Sequence, residues 1–331
     1  MTKKFQVVGI GNAMVDVLAH AEDAFLAENG VEKGIMQLID RARGVELYAR
    51  IGPAQEMSGG SAANTIAGIA HLGGRTAYVG KVKDDQLGAI FAHDLRAQGA
   101  VYETPMAPSD HPDETGRCIV LVTPDGERSM NTYLGVTEFL EPADIDVAMM
   151  ADAEWIFLEG YRFDGPMSHE AFEKAIGACK AGGGKVSITL SDPFCIDRHR
   201  AAFAAMLRDD VDLLFANRAE MLSMYETEDL DAALARAAAE IGIVVCTDSE
   251  NGAHVLSDGQ RWHVPAVPTR IVDATGAGDL FAGGFLWGIA EGHDLETCAR
   301  MGNIAASEVI SHLGARAEAD LGALFRQHGV L

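Results

Sequence analysis

WIFLEG (155–160), KVSITL (185–190), VDLLFAN (211–217) and IGIVVCT (241–247) are four short, predominantly apolar runs, each closing on a polar or small residue. They lack the in-and-out alternation of a half-solvated sheet, so they read as strands buried on both faces. Helical segments near 167–181, 197–208 and 229–240 lie between or after them. Alternation of this kind predicts a mainly parallel sheet with helices on both faces, and ligands then sit beyond the C-terminal strand ends.

Working outward, Phe5–Ile10 reads as a further buried strand, and MVDVLAH (14–20) and IMQLI (35–39) are short and β-like. Ser61 to Leu72 is helical, since Ala62, Ile66, Ile69 and Ala70 recur at three- and four-residue spacing before Gly73-Gly74 stops the run. A strand at 76–79 and a helix over 87–98 follow. Residues 100–134 break the pattern: RCIVLVT and RSMNTYL flank Pro124-Asp125-Gly126, a hairpin signal. A second hairpin is predicted over 253–265, then two long helices at 277–291 and 294–311. The expectation is one unit over 1–331. Its large α/β domain carries a small β-sheet lid built from about 12–40 and 100–134, which covers the ligand edge.

Composition narrows the function. The 331 residues hold 26 Lys+Arg against 49 Asp+Glu, a formal charge of −23. That opposes a phosphate-tracking surface, so no nucleic-acid partner is expected. Five cysteines without a CxxC pair fit reduced thiols in a cytoplasm rather than a disulfide framework. No run approaches the roughly 18 apolar residues that span a bilayer. The 36 glycines exceed the usual share of about 7% and mark places where backbone meets a ligand.

Asp273-Ala274-Thr275-Gly276-Ala277-Gly278-Asp279 opens the first long helix. Small residues at 276–278 let successive N–H groups share one space at a helix N-terminus, which makes an anion hole. Asp279 at its edge is placed to accept the proton of an attacking hydroxyl. The alternative is a glycine-rich helix start with a favourable first-turn charge. Met57-Ser58-Gly59-Gly60-Ser61-Ala62-Ala63-Asn64 brings bare backbone to another helix N-terminus, and Asn12 and Asp16 follow the first strand. Together these suit ribose-like hydroxyls, although Gly-Gly with a Ser N-cap is also ordinary turn chemistry. Asn217 and Glu220 follow a strand end. They form either a capping box or a carboxylate and amide organising hydrated Mg²⁺. GIGNAM (9–14) and GAGDLF (276–281) lack the third glycine of the dinucleotide fingerprint, and no GxxxxGK[ST] occurs.

GGSAAN near the start, NRAE in the middle and DATGAGD near the end together resemble the ribokinase (PfkB) family of carbohydrate and nucleoside kinases. The likeness spans nearly the whole chain and implies the three-layer ribokinase-like fold. It also implies an ATP-dependent kinase with Mg²⁺. By resemblance Asp279 is the catalytic base, and Gly276, Ala277 and Gly278 form the anion hole. Asp16, Gly59, Gly60 and Asn64 hold the sugar, with Asn12 beside them. Asn217, Thr247, Gly252 and Asn303 contact the nucleotide, and Glu220 serves Mg²⁺ through water. Asp273 and Thr275 are candidates for K⁺, which some relatives use. Ala274 departs from the Thr of many members.

Within the family the pattern is closest to adenosine kinases of the bacterial sort, on GIGNAMVDV, IMQLID, GGSAANT and GERSMNTYLG. That likeness implies transfer to the 5′-hydroxyl of adenosine to give AMP. It also places Arg128 where an arginine reaches the transferring phosphate, and sets Met36 and Leu38 against a purine. Free sugars (ribose, fructose, 2-keto-3-deoxygluconate) remain the alternative acceptors, and a non-catalytic nucleotide or sugar sensor is a second alternative. Relatives occur as monomers and homodimers.

Overall fold

The computed structural model describes residues 2–331. In chain order its strands are β1 (Phe5–Ile10), β2 (Met14–His20), β3 (Met36–Leu38), β4 (Ala54–Gly59), β5 (Thr76–Val79), β6 (Val101–Tyr102) and β7 (Gly116–Val122). Then come β8 (Arg128–Tyr133), β9 (Ala153–Glu159), β10 (Lys185–Thr189), β11 (Leu213–Asn217), β12 (Ile243–Thr247), β13 (Ala253–Ser257) and β14 (Gln260–Val264). They form a nine-stranded sheet, β14-β13-β12-β11-β10-β9-β1-β5-β6, and a five-stranded sheet, β3-β8-β7-β2-β4. In the large sheet the seven strands from β12 to β6 pair in parallel, and the β13–β14 hairpin is antiparallel at one edge.

The unalternating apolar runs have the expected cause. Leu214, Ala216, Val244 and Ile188 pack on one face, against helices that include Ser168–Ala181 and Leu230–Glu240. Leu213, Phe215 and Val245 pack on the other, against Ser61–His71, Ala277–Ala290 and Leu295–Val309. The result is the three-layer ribokinase-like arrangement, with helices on both sides of a mainly parallel sheet. No helix among the described residues is long and apolar enough to cross a membrane.

The second sheet follows the other periodicity. Ile119 and Leu121 of β7 point to the short helices Asp23–Glu28 and Arg41–Tyr48, while Cys118, Val120 and Val122 point the opposite way. Two points differ from the sequence expectation. β4 lies outside the 12–40 and 100–134 stretches yet pairs antiparallel with β2, Asp16 facing Met57. Val101–Tyr102 joins the large sheet instead. AQEMSG is polar with a glycine at its end, so its strand conformation comes from pairing rather than propensity. The tip of the β7–β8 hairpin reaches the segment before the anion hole, where a Cβ on Gly126 would lie 3.4 Å from Ile271 Cγ2.

The Ala277–Ala290 helix is fixed to the sheet by an aromatic contact: the fully buried Phe285 meets Phe215 edge-on, ring centroids 5.4 Å apart. Phe285→Ala is therefore expected to lower stability by about 3–5 kcal/mol. The midpoint of urea unfolding should fall at unchanged slope, and a loss below about 1 kcal/mol would contradict this packing.

Candidate active site

A cavity of about 1220 Å³ lies at the C-terminal ends of the parallel strands, with the large sheet below and the second sheet above. It is roomier than the roughly 300–1,000 Å³ common for single small-ligand pockets. Asn12, Asp16, Gly60 and Asn64 line it near β1 and β2; Asn217, Glu220, Thr247, Gly252 and Asn303 line the far side. Thr275, Gly276, Ala277, Gly278 and Asp279 lie in its wall, with Arg128 opposite on the second sheet. Gly59 and Asp273 stand behind the lining, next to Gly60 and Ala274.

On the β1–β2 side the two glycines answer specific contacts. A Cβ on Gly59 would overlap the Asp16 carboxyl, so bare backbone lets that carboxyl lie against the end of β4. Gly60 takes φ 99°, and a Cβ there would overlap the Asn12 carbonyl oxygen. Asn12 is held in turn by Arg162, whose Nη1 donates to Asn12 Oδ1 at 3.0 Å and to the Thr137 carbonyl at 2.5 Å. Asn64, one turn into its helix, donates through Nδ2 to Asp279 Oδ2 at 2.8 Å. Its own Oδ1 is buried without a hydrogen-bond partner among the described residues.

Asp279 sits in the first turn of Ala277–Ala290 and is half-buried. Ser61 Oγ donates to its Oδ1 at 2.7 Å, so two fixed donors orient the carboxylate. Gly276 caps the helix at φ 79°, the left-handed region, and a Cβ on it would lie 2.7 Å from Ala315 Cβ. A Cβ on Gly278 would meet open space, that of the cavity itself. The first N–H groups of such a helix have no intrahelical partner and face an incoming anion. Behind this turn Asp273 Oδ1 accepts from Thr275 N (2.9 Å) and Oγ1 (2.6 Å), and Oδ2 accepts from Gly314 N (2.9 Å).

Asn217 and Glu220 form a complete capping box. Asn217 Oδ1 accepts from Glu220 N at 2.9 Å, and the Glu220 oxygens accept from Asn217 N (3.0 Å) and Nδ2 (2.5 Å). Each Glu220 oxygen thus accepts one hydrogen bond from Asn217 and keeps a further lone pair. Among the described residues no three His, Cys, Asp or Glu side chains gather as a metal cage. Such a donor set fits Mg²⁺, which keeps several waters and takes substrate phosphates as ligands. Asn303 Nδ2 donates to the Val264 and Pro265 carbonyls, so it holds the loop after β14 against the cavity. Gly252 lies under the Val264 and Ala266 backbone, with no room for a Cβ. Arg128 has no ion-pair partner among the described residues.

Sequence reasoning missed four side chains here. Glu159, at the end of β9, is buried and accepts from Asn12 N (3.2 Å) and Ala62 N (2.9 Å). An acid closing an apolar strand was its visible signal. Arg162 follows three residues later, fully buried. Ser61 was read as a cap but serves Asp279. Arg316, whose Nη2 donates to the Ser58 carbonyl at 3.0 Å, carried no local signal.

The carboxyls are shifted together. Burial pushes Asp16 up to about 7, opposed by the Arg316 charge and reinforced by Asp279 and Asp273. Burial likewise raises Glu159 and Glu220 to about 7, against their hydrogen bonds from backbone N–H groups. Asp279 is raised by burial too, with Ser61, Asn64, Arg128 and Arg316 working the other way. In the unfolded chain such groups titrate near about 4. Between those values the folded protein binds more protons than the unfolded one. The associated stability is complete below about pH 4 and is lost as pH rises through about 7. The thermal midpoint is therefore expected to fall from about pH 5.5 to about pH 8, and to fall less in Asp16→Asn. A midpoint that rises over that interval would refute the shifts.

The chain matches the family described as pfkB family carbohydrate kinase over residues 34–320. An adenosine kinase from Sinorhizobium meliloti is 47% identical with TM-score 0.95, covering 98% of this chain and 100% of that one. A probable sugar kinase protein from Rhizobium etli CFN 42 is 46% identical with TM-score 0.96, covering 99% and 100%. A fructokinase from Klebsiella pneumoniae is 30% identical over 247 residues, 70% of this chain and 76% of that protein. With Asp279, the 276–278 turn and the two glycines at the β4 end gathered in one cleft, the chain belongs to the pfkB family of carbohydrate kinases and is a phosphotransferase with an alcohol group as acceptor.

Proposed function

We propose that the protein transfers the γ-phosphoryl group of ATP to the 5′-hydroxyl of adenosine, giving AMP and ADP. One observation supports this acceptor above others: Met14, Met36, Leu38, Cys118, Val120 and Met130 of the second sheet line the cavity beside the Asp16 carboxyl on β2, with Asn64 from the Ser61–His71 helix also in the lining. A nucleoside has a flat apolar base and a hydroxyl-bearing ring, and it matches a lining in which apolar side chains adjoin a carboxyl and an amide. The likeness to a bacterial adenosine kinase agrees with it. A free-sugar acceptor is the second reading, favoured by Asp16 with Asn64 Oδ1, which suit any vicinal hydroxyls.

Transfer of this kind is chiefly positioning and charge stabilisation. Asp16 and Asn64 accept from the acceptor's ring hydroxyls. Asp279, oriented by Ser61 and Asn64, takes the proton of the attacking hydroxyl. As the new O–P bond forms, the bond from the γ-phosphorus to the ADP oxygen breaks. The backbone of 276–278 takes up the phosphoryl charge, and Arg128 adds a cation from the opposite wall. Mg²⁺, when bound, neutralises phosphate charge; Asn217 and Glu220 would hold it through water. Thr247, Gly252 and Asn303 border the nucleotide. Asp273 and Thr275 are the K⁺ candidates, since Asp273 Oδ2 accepts from Gly314 N and keeps a second lone pair.

Asp279→Asn is expected to lower kcat by about 10²–10⁴ with the KM for ATP nearly unchanged, and near-normal turnover would remove Asp279 as the base. For the acceptor, ADP release from ATP and Mg²⁺ is compared across adenosine, inosine, ribose, fructose and 2-keto-3-deoxygluconate. Adenosine should give the highest kcat/KM; preference for a free sugar would overturn the nucleoside assignment and leave the transfer chemistry standing.

A further inference from the structure

The loop from Ser311 to Ala319 is anchored at several points around the cleft. Gly314 N donates to Asp273, Ala315 packs on Gly276, and Glu308 Oε1 accepts from the N–H groups of Glu318 and Ala319. So held, the loop delivers Arg316 to the β4 end. Arg316 Nη2 donates to the Ser58 carbonyl (3.0 Å) and Oγ (3.1 Å), while Asp94 Oδ2 accepts from Ser58 N at 3.3 Å. The next residue, Gly59, is the one against which the Asp16 carboxyl lies. Arg316 and Asp16 therefore meet the same short stretch of backbone.

Arg316 Nε and Nη1 are buried and have no hydrogen-bond partner among the described residues. A guanidinium with unmade bonds is costly to bury unless negative charge nearby offsets it. The groups whose charge acts on it are Asp16 on β2, Asp279 on Ala277–Ala290, Asp94 on Gln86–Ala97 and Tyr78 on β5. Asp273, behind the anion-hole turn, acts on Asp16 from further back. Two of these carboxyls, Asp16 at the acceptor's ring hydroxyls and Asp279 at its attacking hydroxyl, serve one acceptor molecule, and like charges in a buried space repel.

We propose that Arg316 is the counter-charge of the acceptor side of the cleft, a positioning residue that pins the β4 end and lets Asp16 and Asp279 carry their charges side by side. The inference rests on the phosphoryl-transfer reading of the cleft but not on which acceptor is used. The direction agrees with the fields: Arg316 draws both carboxyls down against burial, and removing it moves both upward.

The test is the pH profile of kcat/KM, measured with whichever acceptor the wild-type enzyme uses best, for Arg316→Gln and Arg316→Lys. In Arg316→Gln the acidic limb should move up by about one pH unit, and kcat/KM near pH 7 should fall about tenfold or more. The KM for ATP should stay within about twofold. In Arg316→Lys the charge remains, so the limb should return close to the wild-type position while the acceptor KM rises through the lost fork to Ser58. Limb position does not depend on the folded fraction, so partial unfolding leaves the test readable. If Arg316→Gln does not fold at all, Arg316→Lys decides through the same limb and the acceptor KM. An unmoved limb in Arg316→Gln, or a Lys variant with unchanged acceptor KM, overturns the proposal. A wild-type preference for a free sugar overturns only the adenosine assignment.

Discussion

Glu159 ends β9 and accepts from the N–H of Asn12, just past β1, and of Ala62, in the first turn of Ser61–His71. One buried carboxylate thus ties two strand ends to a helix start, at the point where the apolar sheet gives way to polar chemistry. Gly11 has to be a glycine beside it, because a Cβ there would overlap Glu159 Oε2 and lie 2.7 Å from Ala62 Cβ. From this junction Asn12 turns the chain into β2 and so places Asp16. Ser61 and Asn64 project from the same helix onto Asp279. The spacing between Asp16 and Asp279 therefore follows from this junction as well as from the bonds Asp279 accepts from Ser61 and Asn64.

The charge balance takes on a local meaning. A chain with a formal charge of −23 holds Arg162 fully buried and Arg316 half-buried, with Arg128 in the cavity lining. A polyanion entering this cleft meets helix N-terminal N–H groups and the arginines Arg128 and Arg218, although carboxyls such as Asp16, Glu159, Glu220 and Asp279 also line it. The field at the site is set by desolvation and a few fixed dipoles more than by net charge.

Much of this was legible because it depends on short-range patterns. Buried parallel strands lack alternation, as in VDLLFAN, and the run DATGAGD concentrates residues that make an anion hole at a helix start. The Pro124-Asp125-Gly126 turn announced β7 and β8. What stayed hidden depends on partners far along the chain. β4 is a strand through pairing with β2, and AQEMSG has no strand signature of its own. Asp23–Glu28 and Arg41–Tyr48 are short and bury few side chains, so their periodicity is faint. Arg316 stands 258 residues from the Ser58 it binds, beyond the reach of any local motif. The capping box at Asn217 and Glu220 is a different case: two readings fitted the same four residues, and the structural one is fully formed.

The two sheets also divide the labour of change. The apolar wall comes from alternate positions on β2, β3, β7 and β8, whereas the anion-hole turn, Glu159 and the capped helix at Asn217 all belong to the large sheet and its helices. Side chains on the small sheet other than Asp16 and Arg128 can be exchanged without touching the junction that sets the cleft. Descent with altered appetite is cheap in such a scaffold: a few substitutions on the upper strands reshape what is accepted, while the machinery underneath is inherited intact.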